Sequence, residues 1–132
     1  MSNTKINVKA ELLEEIKKLC DENREILLVS LATMDGFSIK SFASRGLNAE
    51  ADKLAAMSST ISALSKSCAK QLQLDQFNTT IVEAESGNVL FIKTEYLNLQ
   101  CVLTVAARTK MALATVRFKT KGLAEAISNI EE

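Results

Sequence analysis

A chain of 132 residues has the size of one domain, and its 47% hydrophobic content is enough for a core that aliphatic side chains must build, since aromatics make up only 5%. Sixteen basic and sixteen acidic residues cancel, so the overall charge gives no reason to expect nucleic acid or an anionic membrane as partner. Cys20, Cys68 and Cys101 are widely spaced, with no C-x-x-C pair and no histidine, which excludes the usual kind of zinc site and fits free, core-type thiols in a reducing cytoplasm.

Residues 1–9 read as a frayed polar lead without the apolar core of a signal peptide. The folded part is expected over 10–130. A first helix is expected over 10–23, where Leu12, Leu13, Ile16, Leu19 and Cys20 recur at helical spacing and Glu14 and Lys18 form an i,i+4 pair. A strand over 26–33 is apolar on both faces, as in a covered central strand. The longest apolar run, 26–34, falls short of the roughly 20 residues of a membrane span. Met34-Asp35-Gly36 is a tight hairpin turn, because glycine permits the positive φ it needs. The second strand, 37–43, alternates and carries Lys40, which places it near a sheet edge.

A long helix follows over 49–72. One stripe holds Leu54, Met57, Ile61, Leu64, Cys68 and Leu72, and a second face is made of small residues, Ala55 to Ser65. Strands over 77–84 and 89–94 flank a turn at 85–88, with a β-branched run Thr79-Thr80-Ile81-Val82. A loop at 96–99 leads to a fifth strand, 100–107. The last helix is expected over 109–130, with Leu113, Val116, Leu123, Ile127 and Ile130 on one face and Gly122 bending or ending its first half. The order α-β-β-α-β-β-β-α is dominated by hairpins, so the expected class is α+β with a mainly antiparallel sheet between helices.

Catalytic readings find little support. Asp35-Gly36 is a hairpin signal before it is an active-site carboxylate. Ser30, Ser58, Ser59 and Ser62 have no histidine base. Glu83, Glu85 and Glu95 are scattered around a hairpin. No phosphate-cradling loop is present, so the chain is not itself a GTPase. No catalytic residue, metal site or cofactor is therefore expected. Between Tyr96 and Ala124 there is no acidic residue, while Arg108, Lys110, Arg117, Lys119 and Lys121 are present. This is either a solvated helix face or a docking patch for an acidic surface. The predicted sheet interior offers almost no polar anchors, which argues against a small-ligand sensor.

The hairpin Val29-Ser30 through Met34-Asp35-Gly36-Phe37-Ser38-Ile39, the helix opening Asp52-Lys53-Leu54-Ala55-Ala56-Met57 and the hairpin Ile81-Val82-Glu83 to Gly87-Asn88-Val89-Leu90-Phe91-Ile92 resemble the roadblock / dynein light-chain family over about residues 10–127. The resemblance implies a profilin-like domain with a five-stranded antiparallel sheet sandwiched by helices. It implies a dimer in which edge strands pair and second helices pack. Here that surface maps onto Met57, Ser58, Ile61, Ser62, Leu64, Ser65, Thr79 and Ile81. It also implies a small Ras-like GTPase as partner, as for the bacterial regulators of this family. Arg45, Arg108, Arg117, Lys119 and Lys121 are then the candidate partner contacts, with Arg45 or Arg108 the only arginines placed to act as a finger. The expected function is a cytoplasmic, non-catalytic homodimeric regulator or adaptor of such a GTPase. The alternative is a scaffold subunit of a multiprotein complex with no effect on GTP hydrolysis.

Overall fold

The computed structural model describes residues 6–44 and 46–132. Three helices and five strands follow in the expected order: α1 (Ala10–Glu22), β1 (Ile26–Thr33), β2 (Ser38–Ala43), α2 (Ala51–Gln71), β3 (Thr79–Glu83), β4 (Gly87–Tyr96), β5 (Leu99–Arg108) and α3 (Leu113–Ser128). The class is α+β, and all strand pairs are antiparallel in the order β2-β1-β5-β4-β3. The apolar strands β1 and β5 are central, and β2 and β3 are the two edges.

The register assigns the two faces of the sheet. Residues opposite each other across an antiparallel pair share a face, and neighbours along a strand alternate. Thr104 of β5 faces α2, and opposite it stand Ser30 of β1 and Phe91 of β4. Thr94 of β4 faces the other way and donates to the Ala124 carbonyl of α3 at 2.6 Å. So α2 covers one face, and α3 with α1 beside it covers the other.

The aliphatic core lies on the α1/α3 side. Leu12, Ile16 and Leu19 of α1 and Val116, Leu123 and Ile127 of α3 meet Val29, Leu31, Leu90, Ile92, Leu103 and Val105 of the sheet. Each of these side chains is worth about 1.5–3 kcal/mol when fully buried, so this layer supplies most of the driving force. Leu13, expected in the α1 stripe, is exposed instead.

Tyr96, fully buried, ties down the entry to α1. Its hydroxyl donates to the Asn7 carbonyl and accepts from the Lys9 amide at 3.0 Å. Within the expected lead, residues 7 and 9 thus bond to Tyr96 and Ile6 packs against the core, while residues 1–5 lie outside the described residues.

Several boundaries shift for identifiable reasons. The β4–β5 connection is a two-residue turn, Leu97-Asn98, with φ of 48° and 68°. Both residues take the left-handed conformation that such hairpins require, so Tyr96 and Leu99 remain in the strands. Gly87 and Asn88 belong to β4, where they pair with Arg108 and Ala107. Residues 109–112 make the turn out of β5, with the Met111 amide on the Arg108 carbonyl at 3.0 Å, and α3 starts only at Leu113. The helix then runs through Gly122 without ending.

Gly87 is the position where the sheet has no room for a side chain. A Cβ there would stand 2.4 Å from the carbonyl oxygen of Ala107. Gly87→Ala is therefore expected to force the β4–β5 ladder apart and cost about 1–3 kcal/mol. Urea unfolding should show a lower midpoint with an unchanged slope.

Candidate functional site

The candidate site is a surface, made by α2 and the β3 edge. It begins with the inward face of α2. Ala55, Ser58 and Ser62 are buried against the sheet. The hydroxyls of Ser58 and Thr104 share a hydrogen bond at 2.8 Å. Small side chains let the helix lie close to the strands, and the hydroxyl pair satisfies Ser58 and Thr104, while the hydroxyls of Ser30 and Ser62 in the same layer have no partner among the described residues. This layer corrects the expectation of a sheet interior nearly free of polar groups: Ser30, Ser58, Ser62 and Thr104 are all buried in it.

Two further hydrogen bonds set the roll of α2 about its axis. On one flank Ser59 donates to the Met34 carbonyl in the β1–β2 turn at 2.6 Å. Gly36, with φ of +97°, lets that turn close beneath the helix. On the other flank Ser65 shares a hydrogen bond with Thr80 of β3. The helix is thus pinned on both sides of its inward line.

Pinned in this way, α2 turns its aliphatic stripe outward on the β3 side. Met57 is 48% and Leu64 66% exposed, Ile61 is half-buried one turn before Ser65, and Cys68 is exposed. Leu72 and Leu74 extend the stripe past the helix end, where Gln73 and Asp75 hold positive φ angles. Beside the stripe runs β3, bonded on one side to β4 and, among the described residues, unpaired on the other. Such an edge invites pairing with another strand, and a contiguous exposed apolar patch marks an interaction surface.

The expected interface residues divide. Met57, Ile61, Leu64 and Ser65 lie together on the outer or β3-facing side of α2. Ser58 and Ser62 do not: the chain's own sheet covers them completely, so they have no surface to offer a partner. Thr79 and Ile81 stand opposite Ile92 and Leu90, which places their side chains on the α3 face of the sheet. Val82, opposite Val89, is the exposed β3 residue on the α2 side. Alternation along one strand gives two faces but not which face meets α2; only the pairing register does.

The basic residues divide as well. Arg117 and Lys121, both exposed, share one flank of α3. Lys119 lies on the opposite flank, in a groove against α1 lined also by Glu15, Lys18 and Glu22. Arg108 is exposed at the end of β5. Arg45 lies outside the described residues. Among the described residues, no group of three or more His, Cys, Asp or Glu is placed to hold a metal ion, and no helix is long and apolar enough to cross a membrane.

The architecture defines a sheet-and-helix module whose distinctive surface is a helix face joined to a free strand edge. The chain belongs to the Roadblock/LC7 domain family, whose model matches residues 12–107. Its fold is similar to that of an MglB with a tetrameric arrangement (TM-score 0.80, 16% identity, 97% of this chain and 95% of the other). It is equally similar to the gliding protein MglB of Thermus thermophilus (TM-score 0.80, 16% identity, 97% and 96%) and to Myxococcus xanthus MglB (TM-score 0.80, 18% identity, 92% and 95%). No curated protein matches the sequence.

The three thiols report this geometry. Burial, with Asp21 adding to it, pushes Cys20 up to about 11, and burial likewise pushes Cys101 up to about 11. Only the thiolate reacts, so at pH 8 a shift from 9 to about 11 lowers the reactive fraction about 100-fold. Cys68, exposed on the outer side of α2 in the single chain, is expected to be alkylated first at dilutions where one chain stands alone. Peptide mapping after brief iodoacetamide treatment at pH 8 should find the label there, with Cys20 and Cys101 labelled about 100-fold more slowly.

Proposed function

We propose that this protein is a non-catalytic, homodimeric roadblock-type regulator or adaptor that binds a small Ras-like GTPase and modulates its nucleotide cycle in the cytoplasm. The observation that carries the dimer is the aliphatic stripe of α2, exposed next to an unpaired β3 edge. A second copy brings the same stripe and edge, so one two-fold axis covers both apolar surfaces and pairs both free strands. The GTPase partner rests on family membership, the role of family members and the fold shared with MglB. The proposed contacts to an acidic surface of that partner are Arg108, Arg117, Lys119 and Lys121, with Arg45 in addition.

Leu64→Asp removes an aliphatic contact from each protomer and brings two carboxylates into the interface. Losing about 1.5–3 kcal/mol per side chain should weaken dimerisation by about two orders of magnitude or more. Light scattering should show the mass of one chain where the unaltered protein shows two. The melting curve of the monomer should keep its cooperativity, because Leu64 takes no part in the core. Should the unaltered protein have the mass of one chain throughout a dilution series, the dimer is wrong.

The GTPase reading is tested by immobilising the protein and presenting cell lysate with either GDP or a GTP analogue. Retention of a small GTPase in one nucleotide state, followed by a changed hydrolysis rate on mixing the pure proteins, is expected. Retention indifferent to nucleotide, with hydrolysis unchanged, assigns the protein to the scaffold role.

A further inference from the structure

We propose that the outer face of α3 is a second self-association surface, on which another copy of this chain docks through Phe118. Phe118 is 78% exposed, the most exposed of the large hydrophobic side chains among the described residues. It stands opposite the buried line Val116, Thr120, Leu123 and Ile127, at the centre of the outward face. Ala114 and Gly122 lie one turn before and one turn after it on the same line.

Gly122 borders the groove between α3 and α1 as well as the outward face, yet no side chain packs against it. A Cβ there would meet no atom within 4 Å, so no neighbouring element demands the close approach that glycine allows. Yet glycine weakens a helix interior relative to alanine. A knob and an adjacent notch on one face form a self-complementary pair, which is the requirement of a two-fold contact.

The charges select a second copy as the occupant. α1 carries Glu11, Glu14, Glu15, Asp21 and Glu22 against Lys17 and Lys18, while α3 presents Arg117 and Lys121, with the single acid Glu125 one turn beyond Lys121, on the flank away from α1. The acidic and basic helices lie side by side, but the ion pair found among the described residues is Lys53–Glu50, at the start of α2. Among the described residues, the charges of this layer thus make no ion pair with one another. A two-fold axis along α3 stacks Phe118 on its counterpart, and the open turn at Gly122 lets the two helices approach. The same axis brings the Arg117/Lys121 flank of each copy over the acidic α1 of the other. The antiparallel arrangement instead sets like flanks together, which opposes it. An anionic membrane fits less well, since the acids of α1 lie beside the basic flank.

This surface lies on the opposite side of the sheet from α2, so both contacts can be made at once; a tetramer is the first product, and its outer α3 faces stay open to further copies. Docking there also covers Arg117 and Lys121, so an acidic partner and a second copy compete for them. The contact has one aromatic anchor and a polar rim, so it is a weak association, seen toward the concentrated end of a dilution series.

Sedimentation equilibrium of the full chain tests it, with Phe118→Asp and Gly122→Gln, each alone and combined with Leu64→Asp. Leu64→Asp protein is expected to retain a concentrated-end species of two chains, dispersed by high salt. Adding Phe118→Asp or Gly122→Gln should lower its mass twofold. Gly122→Gln should do so without lowering the melting temperature, which separates loss of the notch from loss of the fold. If the α2 surface is not an interface, Phe118→Asp alone takes the protein to one chain regardless of residue 64. Equal masses with and without Phe118→Asp, in both backgrounds and at all concentrations, overturn the proposal. So does retained self-association together with Phe118-dependent binding to phosphatidylserine vesicles, which assigns the face to lipid.

Discussion

The polar contact between α2 and the sheet is the constraint on which the rest of the molecule depends. Ser58 reaches Thr104 at 2.8 Å across the layer, and Ser59 and Ser65 fasten the flanks to the β1–β2 turn and to β3. Three short side chains therefore determine the height of the helix above the strands and its rotation. Once that rotation is set, the stripe of Met57, Ile61, Leu64 and Cys68 has no core to enter. An amphipathic helix ordinarily buries its aliphatic face. This one buries serine and alanine and presents leucine and methionine to solvent.

The two faces of the sheet consequently divide the physical work. On the α1/α3 side, tightly packed aliphatic side chains provide burial, and the hydroxyl of Tyr96 ties the chain entry to the sheet. On the α2 side, hydroxyl pairs provide orientation. Hydrogen bonds between neutral groups contribute modestly to stability, about 0.5–1.5 kcal/mol net, but constrain geometry closely. The exposed aliphatic side chains of α2 are then free to serve assembly. The free strand edge lies on one side of the domain and the charged helical layer on the other.

The sequence was informative wherever local chemistry decides the outcome. The Asp35-Gly36 hairpin, the apolar central strands, the alternating edge strand with Lys40 and the order of eight elements all follow from turn preferences and periodicity, which act over a few residues. The family resemblance was legible in the same short motifs, and it extends through the region that the family model covers. The ends of elements were less so. The Leu97-Asn98 turn contains no glycine, and the late start of α3 depends on how residues 109–112 leave the sheet.

By itself, then, the sequence determined the class of fold, the element order and the presence of one aliphatic and one small-residue face on α2. Only the tertiary structure decided which of those faces is buried, because a helical pattern gives two faces and no sign for either. The sign comes from Thr104, Met34 and Thr80, which are distant in the chain and meet α2 only after the strands have paired. The same reason separates Val82 from Ile81 on β3: alternation makes them opposite, and the register with β4 decides which one stands beside the helix.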